Sequence, residues 1–267
     1  MTDDEDDESI ESDTKDDVAL LPSDAADPQV LVQRIVPPDI LGRFEVYSYR
    51  SAAVILRESY PSEFEELCGA LRSFQITTSM IRRAGGNESD IPKLFSSHLR
   101  PLGWFETVIQ GDLVVHLTAN ELVGYSRSNK AKYAKRVREV RREKYLDGHK
   151  IDYVKGRVAF DLEWNSKDQT FDRDLFAFGA FAQCGIIDVG VLVTRGTSMT
   201  AFIAGLGPAL RKDGSVERDR DGKERLTSAK YGASTTWMGK LLYRLNAGRN
   251  GACPVLVLGI TPACVVD

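Results

Sequence analysis

The chain has 267 residues, 42% of them hydrophobic, and a net charge of −4, enough apolar material for one good-sized core or at most two small ones. It has no run of about 18 apolar residues, so no helical membrane span is expected, and the acidic N-terminus lacks the basic-then-apolar order of a secretion signal. Cys68, Cys184, Cys253 and Cys264 form no C-x-x-C pair, and His98, His116 and His149 lie at no metal-ligand spacing, which argues for free thiols in a reducing cytoplasm and against a zinc site or a histidine-activated nucleophile.

Charge is unevenly placed. Residues 1–28 hold twelve Asp or Glu against one Lys, a charge of −11, which leaves +7 on residues 29–267. The tail lacks the apolar content to offset its ordering entropy and is expected to be disordered. A second reading is an acidic arm that competes for a basic surface. Residues 29–267 are expected to form a single domain whose positive charge suits a polyanionic partner. Phe44–Tyr49 alternates as a strand. Pro61 suits the first turn of a helix carrying Phe64, Leu67, Leu71 and Phe74 on one face. Gly85 and Gly86 break the chain. Asp90 reads as an N-cap, placing Pro92 in the first turn of a helix with Ile91, Leu94, Phe95 and Leu99 on its apolar stripe; Pro101 and Gly103 end it. Asp112–Leu117 reads as a strand. Residues 126–150 carry ten Lys or Arg against three Asp or Glu, and a helix from about Asn129 to Tyr145 is expected, a basic helical insert. Arg157–Trp164 is a strand; Phe171, Leu175, Phe178 and Phe181 mark a helix stopping at Gly185. Ile186–Thr194 suits a strand covered on both faces. Residues 212–230 read as a mobile loop, Trp237–Leu245 as a helix and Pro254–Ile260 as the last strand. The alternation predicts an α/β fold with a mixed central sheet flanked by helices.

The strand at 157–165 carries the chemistry. Alternation puts Val158, Phe160, Leu162 and Trp164 on one face and Asp161 and Glu163 together on the other, roughly 7 Å apart along the strand. Asp152, nine residues before Asp161, is far enough away to fold back beside it. Crowded carboxylates call for a cation or a shared proton. Mg²⁺ takes hard oxygen ligands, typically one or two carboxylates plus water, and such a site suits phosphodiester hydrolysis. The same D-x-E spacing also describes the wetted face of an ordinary strand, and spacing alone leaves both readings open.

The segment Ile151-Asp152-Tyr153-Val154-Lys155 through Phe160-Asp161-Leu162-Glu163-Trp164-Asn165-Ser166 resembles the active-site region of the BglII/BstYI group of type II restriction endonucleases, relatives of BamHI in the PD-(D/E)xK nuclease superfamily. Gly85-Gly86-Asn87 and Gly103-Trp104-Phe105-Glu106 resemble the group's upstream region. Phe171–Ala182, Asp188–Thr194, Lys230–Thr236 and Cys253–Ile260 resemble the segments that follow, so about residues 45–262 are covered. The resemblance implies a restriction-endonuclease-like nuclease core and a metal site of Asp152, Asp161 and Glu163, with Glu106 approaching it. Two departures stand out. Asp161 sits where Glu is more usual, and Glu163 sits where the wider superfamily has Lys.

The resemblance further implies Mg²⁺, with Mn²⁺ able to substitute, and a double-stranded DNA substrate cut at a short palindrome, with a GATC centre expected. It implies a homodimer with an interface on the helix near 61–74 or the one near 90–100, and a cognate DNA methyltransferase in the same system. Base or phosphate contacts are expected from Asn165, Ser166, Lys167, Ser234, Thr235 and Thr236. The basic segment nominates phosphate contacts from Arg138, Arg141 and Arg142, along with Lys132, Lys135, Arg136 and Lys144. The alternatives are a noncatalytic DNA-binding regulator on a nuclease-derived fold and a repair or modification-dependent nuclease.

Overall fold

A computed structural model describes residues 25–83 and 90–267. The Gly85-Gly86-Asn87 break and all but the last four residues of the acidic tail lie outside the described residues. Those last four do not extend freely. Asp27 donates its N–H to Ser48 O at 2.7 Å, and its carboxylate accepts from the Ser48 hydroxyl and the Ser51 N–H. Asp27 is thus tied to the end of β1 and the turn that follows it.

Helices α1 (Gln29–Ile35) and α2 (Pro38–Leu41) lead into β1 (Phe44–Tyr49); α3 (Ala52–Ser59), α4 (Pro61–Ser73), α5 (Thr78–Arg83) and α6 (Asp90–Leu99) follow. Next come β2 (Phe105–Tyr125), β3 (Ala131–Lys155), β4 (Val158–Glu163), α7 (Thr170–Gln183), β5 (Val189–Arg195), α8 (Ser198–Ala204), α9 (Met238–Asn246) and β6 (Val255–Ile260). The strands form one mixed sheet in the order β1-β6-β5-β4-β3-β2. β4, β5 and β6 run parallel, while β1 pairs antiparallel with β6, and β3 with β4.

One sheet face presents Phe160, Val191, Leu258 and Val46 to a core shared with the helices and connections before β2, including Phe64, Phe74, Phe95 and Trp104. The other face lies under α7 and α9. Gly190 permits the α7 approach, because a Cβ there would lie 2.4 Å from Phe178. β4, β5 and β6 are buried along their whole lengths. For β5 and β6 the near-continuous aliphatic sequence explains this. β4 buries Asp161 and Glu163 with the rest.

Residues Thr107–Lys150 form a second compact unit. The expected helix there is instead a strand, and the short strand expected at Asp112–Leu117 extends over Phe105–Tyr125. Tyr133, Val137 and Val140 recur at helical spacing, which misleads, but they are also β-formers facing a Val- and Leu-rich partner. The turn is built by Ser126, which donates its N–H to Lys130 O at 2.8 Å and accepts from Asn129 N–H at 2.9 Å; Asn129 is left-handed at φ 57°. Residues 212–230, expected to be a loop, fold back through the bridges Leu210–Val216 and Arg218–Glu224 and end in a 3-10 turn, Thr227–Lys230.

Candidate active site

Asp161 lies mid-strand on β4, under α7, and is only 4% exposed. Its Oδ1 accepts the Asp152 N–H at 2.8 Å, so the two residues that the spacing left unconnected are joined across the β3–β4 pair. Its Oδ2 is buried and has no hydrogen-bond partner. Burial holds the Asp161 carboxyl well above the usual carboxylate range, and the charges of Asp174 and Asp152 add to that. A buried ionised carboxylate without a partner is costly, so this side chain is out of place in a strand built only for packing.

Glu163 is also buried. Its carbonyl accepts the Thr194 hydroxyl at 2.8 Å, and Arg173 Nη2 reaches its Oε1 at 3.4 Å. Sequence reasoning missed two neighbours, Arg173 and Asp174, both on α7. Asp174 is 2% exposed; its Oδ1 accepts from Arg173 at 2.9 Å, and its Oδ2 has no partner. Burial and the Glu163 charge push its carboxyl up to about 8, against the opposing pull of Arg173. A signal was present: Phe171, Asp174, Leu175 and Phe178 share one helical stripe, and an acid does not belong on its apolar side.

Among the described residues no three His, Cys, Asp or Glu side chains already stand at cage geometry for a metal ion. That does not conflict with a site of the Mg²⁺ type, which needs only one or two carboxylates and keeps its waters. The donor set is hard oxygen, and the Asp161 Oδ2 is a buried acceptor without a donor, so the residues fit a divalent cation. Glu106 is exposed at the start of β2; the charges that act most on Asp161 come from Asp174, Asp152 and Glu163.

The two expected base-contacting segments are brought together. Lys167 bridges Thr235, Asp168 donates its N–H to Ser234 O at 2.8 Å, and Thr236 donates its N–H to Ser166 O at 2.9 Å. Ser234 and Lys167 are exposed. Thr236 is fully buried, and its hydroxyl accepts the Ser166 N–H at 3.2 Å; it fastens the two segments together and leaves no face for DNA. Arg195, also unforeseen, clamps the same junction. It donates to Trp164 O at 2.9 Å, and to Thr235 Oγ1 and Thr236 O at 2.6 Å each. Its guanidinium lies 4.8 Å from the Tyr231 ring centroid. Burial lowers its pKa to about 10.

The restriction endonuclease BglII/BglIII family model matches residues 44–260. The chain belongs to the BglII restriction endonuclease family. It is accordingly a type II restriction endonuclease by family, acting on DNA, and restriction endonucleases of this type generally use divalent metal ions. A search of curated proteins finds no match. Among the described residues no helix is long and apolar enough to cross a membrane.

The hairpin unit separates its charges by face. An ion pair of 3.8 Å joins Glu121 to Arg136, and His116 lies 3.8 Å from the Glu139 carboxylate. Odd-numbered residues of β2 therefore share a face with even-numbered residues of β3. Between the positive-φ residues Gly124 and Lys144, one face carries Lys132, Arg136, Arg138 and Arg142 with Glu121 as its one acid. The opposite face mixes Lys135 and Arg141 with Asp112, Glu139 and Glu143. Arg141 is bonded to Asp112, so of the three nominated arginines only Arg138 and Arg142 share the basic face.

Proposed function

We propose that this protein is a Mg²⁺-dependent endonuclease that cuts double-stranded DNA at a short palindrome with a GATC centre, in the cytoplasm, as a homodimer partnered by a cognate DNA methyltransferase. The observation that carries the reading is Asp161, a buried carboxylate with one oxygen unpartnered, on the strand that resembles the group's active-site region and lies within the matched residues. Asp152, Asp161 and Glu163 are the residues that would hold the metal. A divalent ion held there would supply Lewis-acid polarisation of a phosphoryl oxygen and a water of lowered pKa.

The chain's own part is positional. The Asp152 N–H fixes the Asp161 carboxylate by one oxygen and leaves the other open. Glu163, where the superfamily has Lys, accepts hydrogen bonds and donates none when ionised, so it orients an attacking water through the water's own protons. Arg173 restrains Glu163 from the solvent side. Ser234 and Lys167, exposed on the fastened segments, are positioned to read bases, and Arg138 and Arg142 contact phosphates. The dimer is built on α4 or α6, and Glu106 approaches the metal site from β2.

The test is a cleavage assay with Mg²⁺ or Mn²⁺ on methylated and unmethylated DNA. Site-specific cutting of unmethylated DNA is expected. Replacing Asp161 and Glu163 together by Ala lowers the rate by at least about a thousandfold and spares most of the binding. If no DNA of either methylation state is cut, the chain is a DNA-binding protein on a retired nuclease fold.

A further inference from the structure

A second polar site lies at the C-terminal end of the catalytic strand. Asn165, two residues beyond Glu163, lines a shallow cleft of about 440 Å³ together with Arg83, Arg211, Lys212, Arg225 and Lys230; Glu217 is its one acid. The walls are cross-fastened. Arg82 at the end of α5 donates to Pro208 O at 2.8 Å and accepts Leu210 N–H at 3.0 Å. Asn165 donates to Lys230 O at 3.0 Å, and Tyr231 OH donates to Ile81 O at 2.8 Å.

Within the cleft, Glu217 is already satisfied by Arg225 at 3.0 Å and Lys230 at 2.5 Å. Arg83, Arg211 and Lys212 are in none of the ion pairs among the described residues. Asp213, just outside the cleft, offsets Arg211 in part, and the cations that remain against one neutralised acid repel one another unless an anion joins them. The surplus is of the sign and donor type that binds phosphate, with two guanidinium forks available.

We propose that this cleft holds a backbone phosphate of the DNA strand, as a subsite separate from the carboxylates. Arg83 and Arg211 grip the phosphate and Lys212 adds charge, while the Asn165 and Lys230 bond ties the grip to the end of β4. This rests on the endonuclease reading for its ligand, and on the cleft alone for its residues. The contact carries no sequence information. It fixes the register of the strand entering the site.

The experiment is binding of a labelled duplex to the full chain, followed by anisotropy across a salt series without divalent metal. The double variant R83Q/R211Q is compared with R218Q/K223Q, which removes equal charge from the same folded segment outside the cleft. Loss of one phosphate contact flattens the plot of log affinity against log salt by about one unit, and roughly a tenfold loss of affinity at moderate salt is expected for R83Q/R211Q alone. Equal losses in both variants overturn the proposal, because then only the general field acts. So does unchanged DNA affinity in R83Q/R211Q, and thermal stabilisation by millimolar inorganic phosphate that this variant alone loses then assigns the cleft to a free anion. Matched melting curves for both variants and wild type exclude misfolding. Cleavage is scored separately: loss of affinity without any cleavage by wild type sinks the endonuclease reading and leaves the phosphate subsite standing.

Discussion

Two buried carboxyls, Asp161 beneath α7 and Asp174 on it, set the electrostatics of the site. The Asp174 carboxyl is pushed up to about 8 by burial and by Glu163, and Asp161 is raised in the same direction. An acid whose folded pKa exceeds its unfolded value of 3.8 binds its proton more tightly in the folded state. Its contribution is therefore greatest at low pH and is lost as pH rises from about 4 toward 8. Asp174→Asn removes that loss. In the presence of a chelator the variant is expected to melt with wild type near pH 3, where the carboxyl is protonated in both states, and above it at pH 8.5, by about 3 °C for each kcal/mol relieved. A constant offset between the two melting curves across pH would show that Asp174 does not titrate in this window. Asp161 was legible from D-x-E alternation on a strand, but its burial was not, because β4 is covered on both faces rather than one. Asp174 was hidden in plain view, read past as part of an amphipathic helix.

Among elements, the strands of the body were legible because their aliphatic runs are unambiguous: Val189–Arg195 and Val255–Ile260 appear within three residues of where the sequence put them. The hairpin was not. Its two strands stabilise each other through cross-strand pairs, and neither announces its partner; β3 alone, with Tyr133, Val137 and Val140 three and four apart, satisfies a helical template. The correction changes what the basic segment presents. On a helix Arg138, Arg141 and Arg142 share a side; on the ribbon Arg141 turns away to Asp112. The double variant R138Q/R142Q is expected to reduce the salt dependence of nonspecific DNA binding by about two units. K135Q/R141Q, with the same change in charge, should leave it nearly unaltered, as read by the same anisotropy titration. Equal effects from both pairs would mean that the ribbon contributes only its net charge.

For the whole molecule, the opposition between residues 1–24, with a charge of −10, and the positive remainder bears on DNA affinity. A chain starting at Ala25 keeps Asp27, which docks on β1. Its melting temperature is expected to match that of the full chain, while its nonspecific DNA affinity rises and depends more steeply on salt. Unchanged affinity would reduce the acidic segment to a solubilising extension.

Arg195 joins these scales. One guanidinium holds the backbone at Trp164, immediately after the second strand acid, and also the Thr235–Thr236 junction that presents Ser234. The segment proposed to inspect a sequence and the strand proposed to cut are thus mechanically one piece. If residues 230–236 read bases as proposed, exchanging them alone is not expected to graft a new specificity, because the exchange also resets the end of β4. Lineages that acquire new target sites would be expected to change both segments around an unchanged arginine.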